Sequence, residues 1–432
     1  MNRLESHPIS KIEGVYIAPG DKSISHRLAM LGSLAEGTSE FSHFLYSDDC
    51  KRTIEAFKAM GVNFNESQTS EDRMLQVKGV GLRGLHAPKK DLDLGNSGTT
   101  MRLLLGILSG QGFETCLTGD SSLSHRPMQR VTKPLRQMGA KISGADDANY
   151  APLRVQGGKL KGINWKNEIS SAQVKSAILL AGLYAEGETS IEEINPSRDH
   201  TERLLEIFKA PFKKNNLKLT IQKTEKLSPV HFRVPGDISS ATFFIAAALM
   251  VPNSDLIVRE VGLNPTRTGF LEALKLMGAD LKIELKKSTS EPAGDIHVKS
   301  SRLKGIKLNK LWIPKLIDEL PILMILCALA EGTSVIEGAE ELRVKETDRI
   351  RSMTTGLNQI GGKIEERPDG CVIQGVPEFS GGNVSSFGDH RTAMSFLIAG
   401  LKSKSGITVE DTDCIETSYP QFHADLKRLC KD

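Results

Sequence analysis

The chain has 432 residues, 39% hydrophobic and 25% charged, an ordinary globular composition over a length too great for one core, which seldom grows past about 250–300 residues. A net charge of only +3, with five Tyr and two Trp standing apart from basic clusters, argues against nucleic acid as a partner. The apolar runs FFIAAALMV from Phe243 and LPILMILCALA from Leu320 fall short of the about 20 residues that span a bilayer, so both read as buried helices and no membrane partner is expected.

The N-terminal MNRLESHPISKIEG lacks the apolar stretch of a signal peptide, which points to a cytoplasmic protein. The first segment with chemistry in it is GDKSISHR, Gly20 to Arg27. Backbone N–H groups at a helix start favour an anion, and Lys22, Ser23 and Arg27 would add charge-assisted donors around it. Taken alone, the octapeptide reads equally well as a capped helix with a solvated basic turn. It is not a nucleotide-type phosphate loop, because the G-x-x-x-x-G-K-[ST] spacing is absent.

What decides between these readings is a repeat. A polar or acidic start runs into an Ala/Leu-rich helical stretch, then a small-residue turn and a β-branched segment, six times in all. The copies are DKSISHRLAMLGSLAEGTSEF from Asp21, GNSGTTMRLLLGILSGQGFETCL from Gly95, SSAQVKSAILLAGLYAEGETSI from Ser170, DISSATFFIAAALMVPNSDLIV from Asp237, IDELPILMILCALAEGTSVI from Ile317 and GDHRTAMSFLIAGLKSKSGITV from Gly388. Their spacing of roughly 65 to 80 residues suits a compact β-α-β-α-β-β module. A second landmark recurs in phase: AFKAMGVNF at Gly61, PLRQMGAKI at Gly139, ALKLMGADL at Gly278 and GLNQIGGKI at Gly361 each read as a helix stopped by a glycine and followed by a strand. LLEIFKAPF at Phe208 is a degenerate fifth copy.

Six modules suggest two domains of three. Most Lys and Arg are solvated, but Lys22, Arg27, Arg102, Lys175 and Arg391 share one position, the polar start of a module. Arg126 in SHRPM, Arg198 in SRDHTER, and Lys345 with Arg349 in RVKETDR complete the set. Helix starts and cations directed at one cleft would focus on a small polyanion. The six cysteines, Cys50, Cys116, Cys327, Cys371, Cys414 and Cys430, form no C-x-x-C pair, which fits reduced thiols and offers no metal site.

These segments resemble the EPSP synthase family. The resemblance runs through GDKSISHR, LGNSGTTMRLL from Leu94, the RPM turn at Arg126, SSAQVKSAILLAGL from Ser170, SRDHTERLL from Ser197, PGDISSA from Pro235, IDELPI from Ile317, LRVKETDRI from Leu342 and GDHRTAM from Gly388, in order and over nearly the whole length. SAQVKSA and SRDHTER are similar to the glyphosate-tolerant bacterial subgroup. The resemblance implies an α/β fold of two inside-out α/β barrel domains, each of three β-α-β-α-β-β repeats, with residues 1–20 and 235–432 forming one domain, 21–234 the other, and the active site in the cleft between them. It implies transfer of the enolpyruvyl group of phosphoenolpyruvate to the 5-hydroxyl of shikimate 3-phosphate by addition and elimination, by a monomer without a cofactor.

By the same resemblance, Lys22, Gly98, Arg126, Gln173, Arg349 and Arg391 would hold phosphoenolpyruvate. Lys22, Ser23, Arg27, Ser171, Gln173, Arg198, Asp318 and Lys345 would hold shikimate 3-phosphate. Asp318 and Glu346 are the expected acid-base residues, with Lys22 as a further proton carrier. Each has a plainer reading: Asp318 as a carboxylate capping an apolar helix, Glu346 as a structural ion pair with its basic neighbours, and Gly98 as a simple turn glycine. His390, beside Arg391, would orient phosphate or carry a proton, or simply be a structural donor. Some family members carry a lysine before the last Phe-Pro or Tyr-Pro; here Ile415-Glu416-Thr417-Ser418-Tyr419-Pro420 has none. Gly98 favours glyphosate sensitivity, whereas Leu103, where the enteric pattern has proline, opposes it. Two alternatives stand: an enolpyruvyl transferase acting on UDP-N-acetylglucosamine, which typically has Lys-Asn in place of Lys22-Ser23 and a loop cysteine that Cys116 does not match, and a non-catalytic phosphate- or RNA-end-binding relative.

Overall fold

The computed structural model describes residues 2–68, 72–168, 170–286 and 290–431. The six apolar repeats form the helices Lys22–Leu34, Gly98–Ser109, Ala172–Gly182, Ile238–Met250, Leu320–Leu329 and His390–Gly400. Their polar starts act as caps: Asp21 accepts from Ile24 N, Ser97 from Thr100 N, Asp237 from Ser239 N, and Asp389 from both Arg391 N and Thr392 N. These helices are apolar on every side, so they lie inside a core rather than on it; every residue from Ile238 to Leu249 is buried. Helices Gly98–Ser109 and Ala172–Gly182 touch backbone to backbone, where a Cβ on Gly106 would stand 2.2 Å from the Ala177 carbonyl oxygen.

Around each such helix the chain repeats one strand order. In the Gly95 copy, Leu92–Asp93 pairs parallel with Glu114–Thr118, which pairs antiparallel with Tyr150–Gln156, which pairs antiparallel with Lys141–Gly144. Among the described residues there are six such sheets, of three to five strands. Burial alternates along Tyr150–Gln156, so one face packs on the helices and the other meets solvent.

The chain resolves into two compact units, Met1–Pro19 with Pro235–Asp432, and Gly20–Val234. Each has its own core: Ile12 through Leu429 in the first, Ile24 through Val234 in the second. The division has a local cause in strand exchange. Lys11–Ile17 precedes helix Lys22–Leu34 in the chain but pairs parallel with Asp255–Gly262, whereas His231–Arg233 precedes helix Ile238–Met250 but pairs parallel with Glu36–Ser42. Arg3–Ser6 completes the last sheet by pairing with Ile407–Glu410. Where the chain passes into the second unit, a Cβ on Gly20 would lie 1.9 Å from the His43 carbonyl oxygen, so only glycine fits.

The second landmark is also present. Gly61, Gly139, Gly278 and Gly361 end their helices at φ of +96°, +102°, +87° and +88°. In the degenerate copy Lys209 takes that place at φ +61°. The sixth counterpart, helix Phe422–Leu429, ends on Cys430 at φ −81°, with no left-handed residue for a sequence pattern to register. Cys116 lies in the strand Glu114–Thr118 and all six cysteines are thiols. Among the described residues no helix is long and apolar enough to cross a membrane.

Lys209→Gly is expected to raise stability by roughly 0.5–1 kcal/mol, because relief of the left-handed strain outweighs the extra unfolded-state freedom of glycine. A urea-unfolding midpoint that falls instead would show that the lysine side chain is worth more than its backbone costs.

Candidate active site

In each unit the polar starts of the buried helices carry networks of hydrogen bonds and ion pairs. In the unit Gly20–Val234, Lys22 opens the first helix and its Nζ donates to Asp49 Oδ2 at 3.0 Å. The buried Arg27, one turn on, donates from Nη1 to the Ser23 carbonyl (2.9 Å), from Nε to Thr201 Oγ1 (2.6 Å) and from Nη2 to Ser176 Oγ (3.0 Å). This geometry fixes the guanidinium plane; Ser23 itself is half-buried.

The second and third helices meet through Gln173. Its Nε2 donates to Thr99 Oγ1 at 2.9 Å while its Oε1 accepts from Arg102 Nη1 at 2.8 Å. Arg126 donates to the Asn96 carbonyl (3.2 Å), to Asn96 Oδ1 (2.6 Å) and to Ser122 Oγ (3.1 Å). Gly98 faces both guanidinium groups, since a Cβ there would stand 2.9 Å from Arg102 Nη1 and 3.3 Å from Arg126 Nη1. Ser171 is the half-buried N-cap of Ala172–Gly182 and makes no cap bond with its side chain. Arg198 is half-buried on the turn between strand Glu188–Glu193 and helix His200–Ile207.

Beneath this surface a row of buried hydroxyls joins the first two repeats. Ser97 Oγ, Thr100 Oγ1 and Thr53 Oγ1 are linked at 2.6 and 2.7 Å, and Thr53 Oγ1 meets His26 Nδ1 at 2.7 Å. Burial, with Lys22 and Arg27 adding to it, pushes the pKa of His26 well below the ordinary histidine value, so the imidazole is neutral. Lys175 corrects an expectation: it does not join the cations at the helix starts but is fully buried, with its Nζ 2.9 Å from Glu193 Oε2 and 2.7 Å from Glu202 Oε1. It lies one turn into the helix, and that turn carries it into the core.

The other unit is organised around Arg349. This guanidinium is 1% exposed and meets three carboxylates: Nε donates to Asp389 Oδ2 (2.7 Å), Nη2 to Glu346 Oε2 (2.6 Å) and Nη1 to Asp318 Oδ1 (3.4 Å). Burial works against its charge, yet Asp389, Glu346 and Asp318 hold its pKa above the ordinary arginine value. Asp389 thereby serves two ends, capping helix His390–Gly400 with Oδ1 and fixing Arg349 with Oδ2. Arg391, two residues on, donates from Nη1 to the Asp318 carbonyl at 2.7 Å. Asp318 is not the helix cap: helix Leu320–Leu329 begins two residues later, its N-cap is Glu319, and the Asp318 carboxylate turns to Arg349 instead. Lys345 is half-buried at the end of the 3-10 turn Glu340–Val344. Burial, with Arg349 beside it, lowers its pKa against the pull of Asp318, Glu341 and Glu346.

The structure thus brings Asp318, Glu346, Arg349 and Arg391 into one network, with Lys345 at its edge. The partners that reasoning from sequence passed over are Asp49, Asp389, Ser176 and Thr201. Asp389 carried a legible signal, an acidic residue directly before a helix start. His390 has its Nδ1 3.4 Å from Thr417 Oγ1. The lysine-free segment is anchored in the core by Tyr419, whose hydroxyl meets Tyr16 Oη at 2.5 Å and donates to Asp425 Oδ2 at 2.7 Å.

Arg349→Met would leave three carboxylates facing an uncharged side chain, and is expected to cost about 3–5 kcal/mol in urea unfolding. A loss under about 1 kcal/mol would mean the carboxylates find other donors at once.

The chain was compared with known proteins. A family model for EPSP synthase (3-phosphoshikimate 1-carboxyvinyltransferase) matches residues 6–426. The chain is 47% identical over 424 residues to a 3-phosphoshikimate 1-carboxyvinyltransferase of Geobacillus kaustophilus, covering 98% of each. To the one of Methylococcus capsulatus it is 51% identical over 417 residues, covering 96% of this chain and 94% of that protein. A solved EPSP synthase from Acinetobacter baumannii superposes with a TM-score of 0.86 at 44% identity, over 99% of this chain and 98% of that one. Sequence and fold agree from end to end, and the chain belongs to the EPSP synthase family.

Proposed function

We propose that this enzyme transfers the enolpyruvyl group of phosphoenolpyruvate to the 5-hydroxyl of shikimate 3-phosphate, giving 5-enolpyruvylshikimate 3-phosphate and phosphate. The observation that carries the reading is the pairing of two carboxylates, Asp318 and Glu346, on one buried guanidinium, within a chain whose family membership is shown. Addition requires a base for the 5-hydroxyl and an acid for the methylene carbon. In our reading Asp318 takes the hydroxyl proton as its oxygen bonds to C2 of phosphoenolpyruvate, and Glu346 protonates C3. Elimination then removes a proton from C3, re-forms the double bond and breaks the bond to phosphate. Lys22, held by Asp49, is a further proton carrier at the leaving oxygen.

Two phosphates and two carboxylates must be brought together, and fixed donors offset their repulsion. Phosphoenolpyruvate is assigned to Lys22, Gly98, Arg126, Gln173, Arg349 and Arg391. Arg349 donates from Nε to Asp389, from Nη2 to Glu346 and from Nη1 to Asp318, so a bound anion would share its Nη groups with those two carboxylates. Shikimate 3-phosphate is assigned to Lys22, Ser23, Arg27, Ser171, Gln173, Arg198, Asp318 and Lys345. A lysine whose charge is disfavoured by burial gains most when an anion arrives, which suits Lys345 to that role. Helices buried on all sides, with sheets that alternate in burial, support an inside-out α/β barrel in each unit. The nucleotide-sugar alternative is disfavoured by Ser23 after Lys22 and by the position of Cys116 inside a strand.

Mixing the enzyme with phosphoenolpyruvate and shikimate 3-phosphate should release phosphate, and replacing the latter with UDP-N-acetylglucosamine should not; the reverse pattern overturns the reading. Arg126→Ala should chiefly raise KM for phosphoenolpyruvate and Arg198→Ala chiefly that for shikimate 3-phosphate, each by the about 1.5–3 kcal/mol of a charge-assisted contact. Equal losses for both substrates in both variants would mean the subsites are misassigned.

Glyphosate, which in this family competes for the phosphoenolpyruvate subsite and is slightly longer, probes Gly98. A methyl there presses on Arg102 and Arg126, so Gly98→Ala should weaken glyphosate far more than phosphoenolpyruvate, from a wild type that glyphosate inhibits competitively. A wild type already indifferent to glyphosate would shift the cause to Leu103, buried in the core next to Arg102.

A further inference from the structure

Lys175 is a charge placed where a hydrophobic side chain would pack more simply. Its side chain is 0% exposed, and its Nζ reaches Glu202 Oε1 (2.7 Å), Glu193 Oε2 (2.9 Å) and the Ser197 carbonyl (3.4 Å). Ser197 Oγ in turn donates to Glu193 Oε1. Glu193 is the last residue of strand Glu188–Glu193, and Glu202 lies in the first turn of helix His200–Ile207. One ammonium therefore ties both ends of the turn that carries Arg198. The adjacent residue on each helix, Ser176 after Lys175 and Thr201 before Glu202, repeats the connection in neutral form: Ser176 Oγ and Thr201 Oγ1 are 2.6 Å apart, and both accept from Arg27. The ion pair Lys175–Glu202 and the hydroxyl pair Ser176–Thr201 thus run side by side between the same two helices. Arg27 rests on the second of them.

We propose that Lys175, with Glu193 and Glu202, is a positioning clamp for the shikimate 3-phosphate subsite, holding the Arg27 guanidinium and the Arg198 turn in their binding geometry. The inference rests on the reading of Arg27 and Arg198 as ligands of that substrate. An apolar residue could join the two helices, but it could not set their register to the precision that hydrogen-bonded charges impose. Burial raises the pKa of Glu202 against the pull of Lys175. Lys175 comes from SAQVKSA while Ser197 and Glu202 come from SRDHTER. The clamp gives a physical reason for these two segments to occur together.

The test measures shikimate 3-phosphate dissociation by calorimetry alongside steady-state constants, in Lys175→Met and in Lys175→Met/Glu202→Met. Lys175→Met leaves two carboxylates without their ammonium; the double variant removes Glu202, while Glu193 keeps the Ser197 hydroxyl as a donor, and so it recovers folding stability without restoring the tie to Ser197 and Glu193. Both variants should bind shikimate 3-phosphate at least tenfold more weakly, with KM for phosphoenolpyruvate and kcat within about threefold of wild type, a change of under about 0.7 kcal/mol. If the double variant recovers both its melting temperature and its affinity, Lys175 is merely structural and the proposal fails. Equal weakening of both substrates overturns it too. Should Lys175→Met not fold, the double variant decides alone. A wild type that binds no shikimate 3-phosphate overturns the subsite reading and the clamp with it, whereas one that binds while the double variant binds equally overturns only the clamp.

Discussion

Everything in this structure depends on what happens to the first N–H groups of six helices that are buried on every side. These groups have no partner within the helix, and within a core they have little water to turn to. Asp21, Ser97, Asp237 and Asp389 answer the need directly with side-chain cap bonds. Two helices, Ala172–Gly182 and Leu320–Leu329, start without such a bond, and they begin beside Ser171 and Asp318. At the second of these the Asp318 carboxylate meets Arg349 rather than its own helix.

The same requirement explains why the charges come in networks. A guanidinium as buried as Arg349 survives only because Asp318, Glu346 and Asp389 surround it, and an ammonium as buried as Lys175 only because of Glu193 and Glu202. The two networks do different work. Arg349 holds side chains that carry proton-transfer chemistry in our reading, so its partners must remain able to exchange their contacts with a ligand. Lys175 holds backbone and helix, so its partners need never let go.

Much of this was legible in the residues. A helix that is apolar all round has a sequence that looks the same in every repeat, and Gly61, Gly139, Gly278 and Gly361 mark their left-handed stops because no other residue takes that conformation as cheaply. Lys209 leaves the fifth stop legible only as a degenerate copy and Cys430 hides the sixth, since a pattern of glycines cannot register a stop made without one. The candidate ligands could be named from motifs, but their counter-ions could not. Asp49 lies 27 residues from Lys22 and Asp389 lies 40 from Arg349, contacts that only the packing of helix against helix creates. Lys175 was misread for a related reason. Position within a motif says that a cation is near a helix start, not which way the helix has turned it.

The segment Ile415–Pro420 is held by the core. Tyr419 is wholly buried, with its hydroxyl between Tyr16 and Asp425, and its ring packs edge-on against Phe422. Burial and these partners raise its pKa well above the ordinary tyrosine value, so the phenol stays protonated and contributes no charge. The segment is thus fixed by the core and carries no cation of its own. In our reading the anion is then recognised by residues fixed elsewhere, and Arg349 and Arg391 are fixed in that way. One is held by Asp389 at the start of helix His390–Gly400, and the other stands on that same start and reaches the Asp318 carbonyl. A single capping aspartate therefore sets the position of two arginines, and through them of the carboxylate that our reading makes the base.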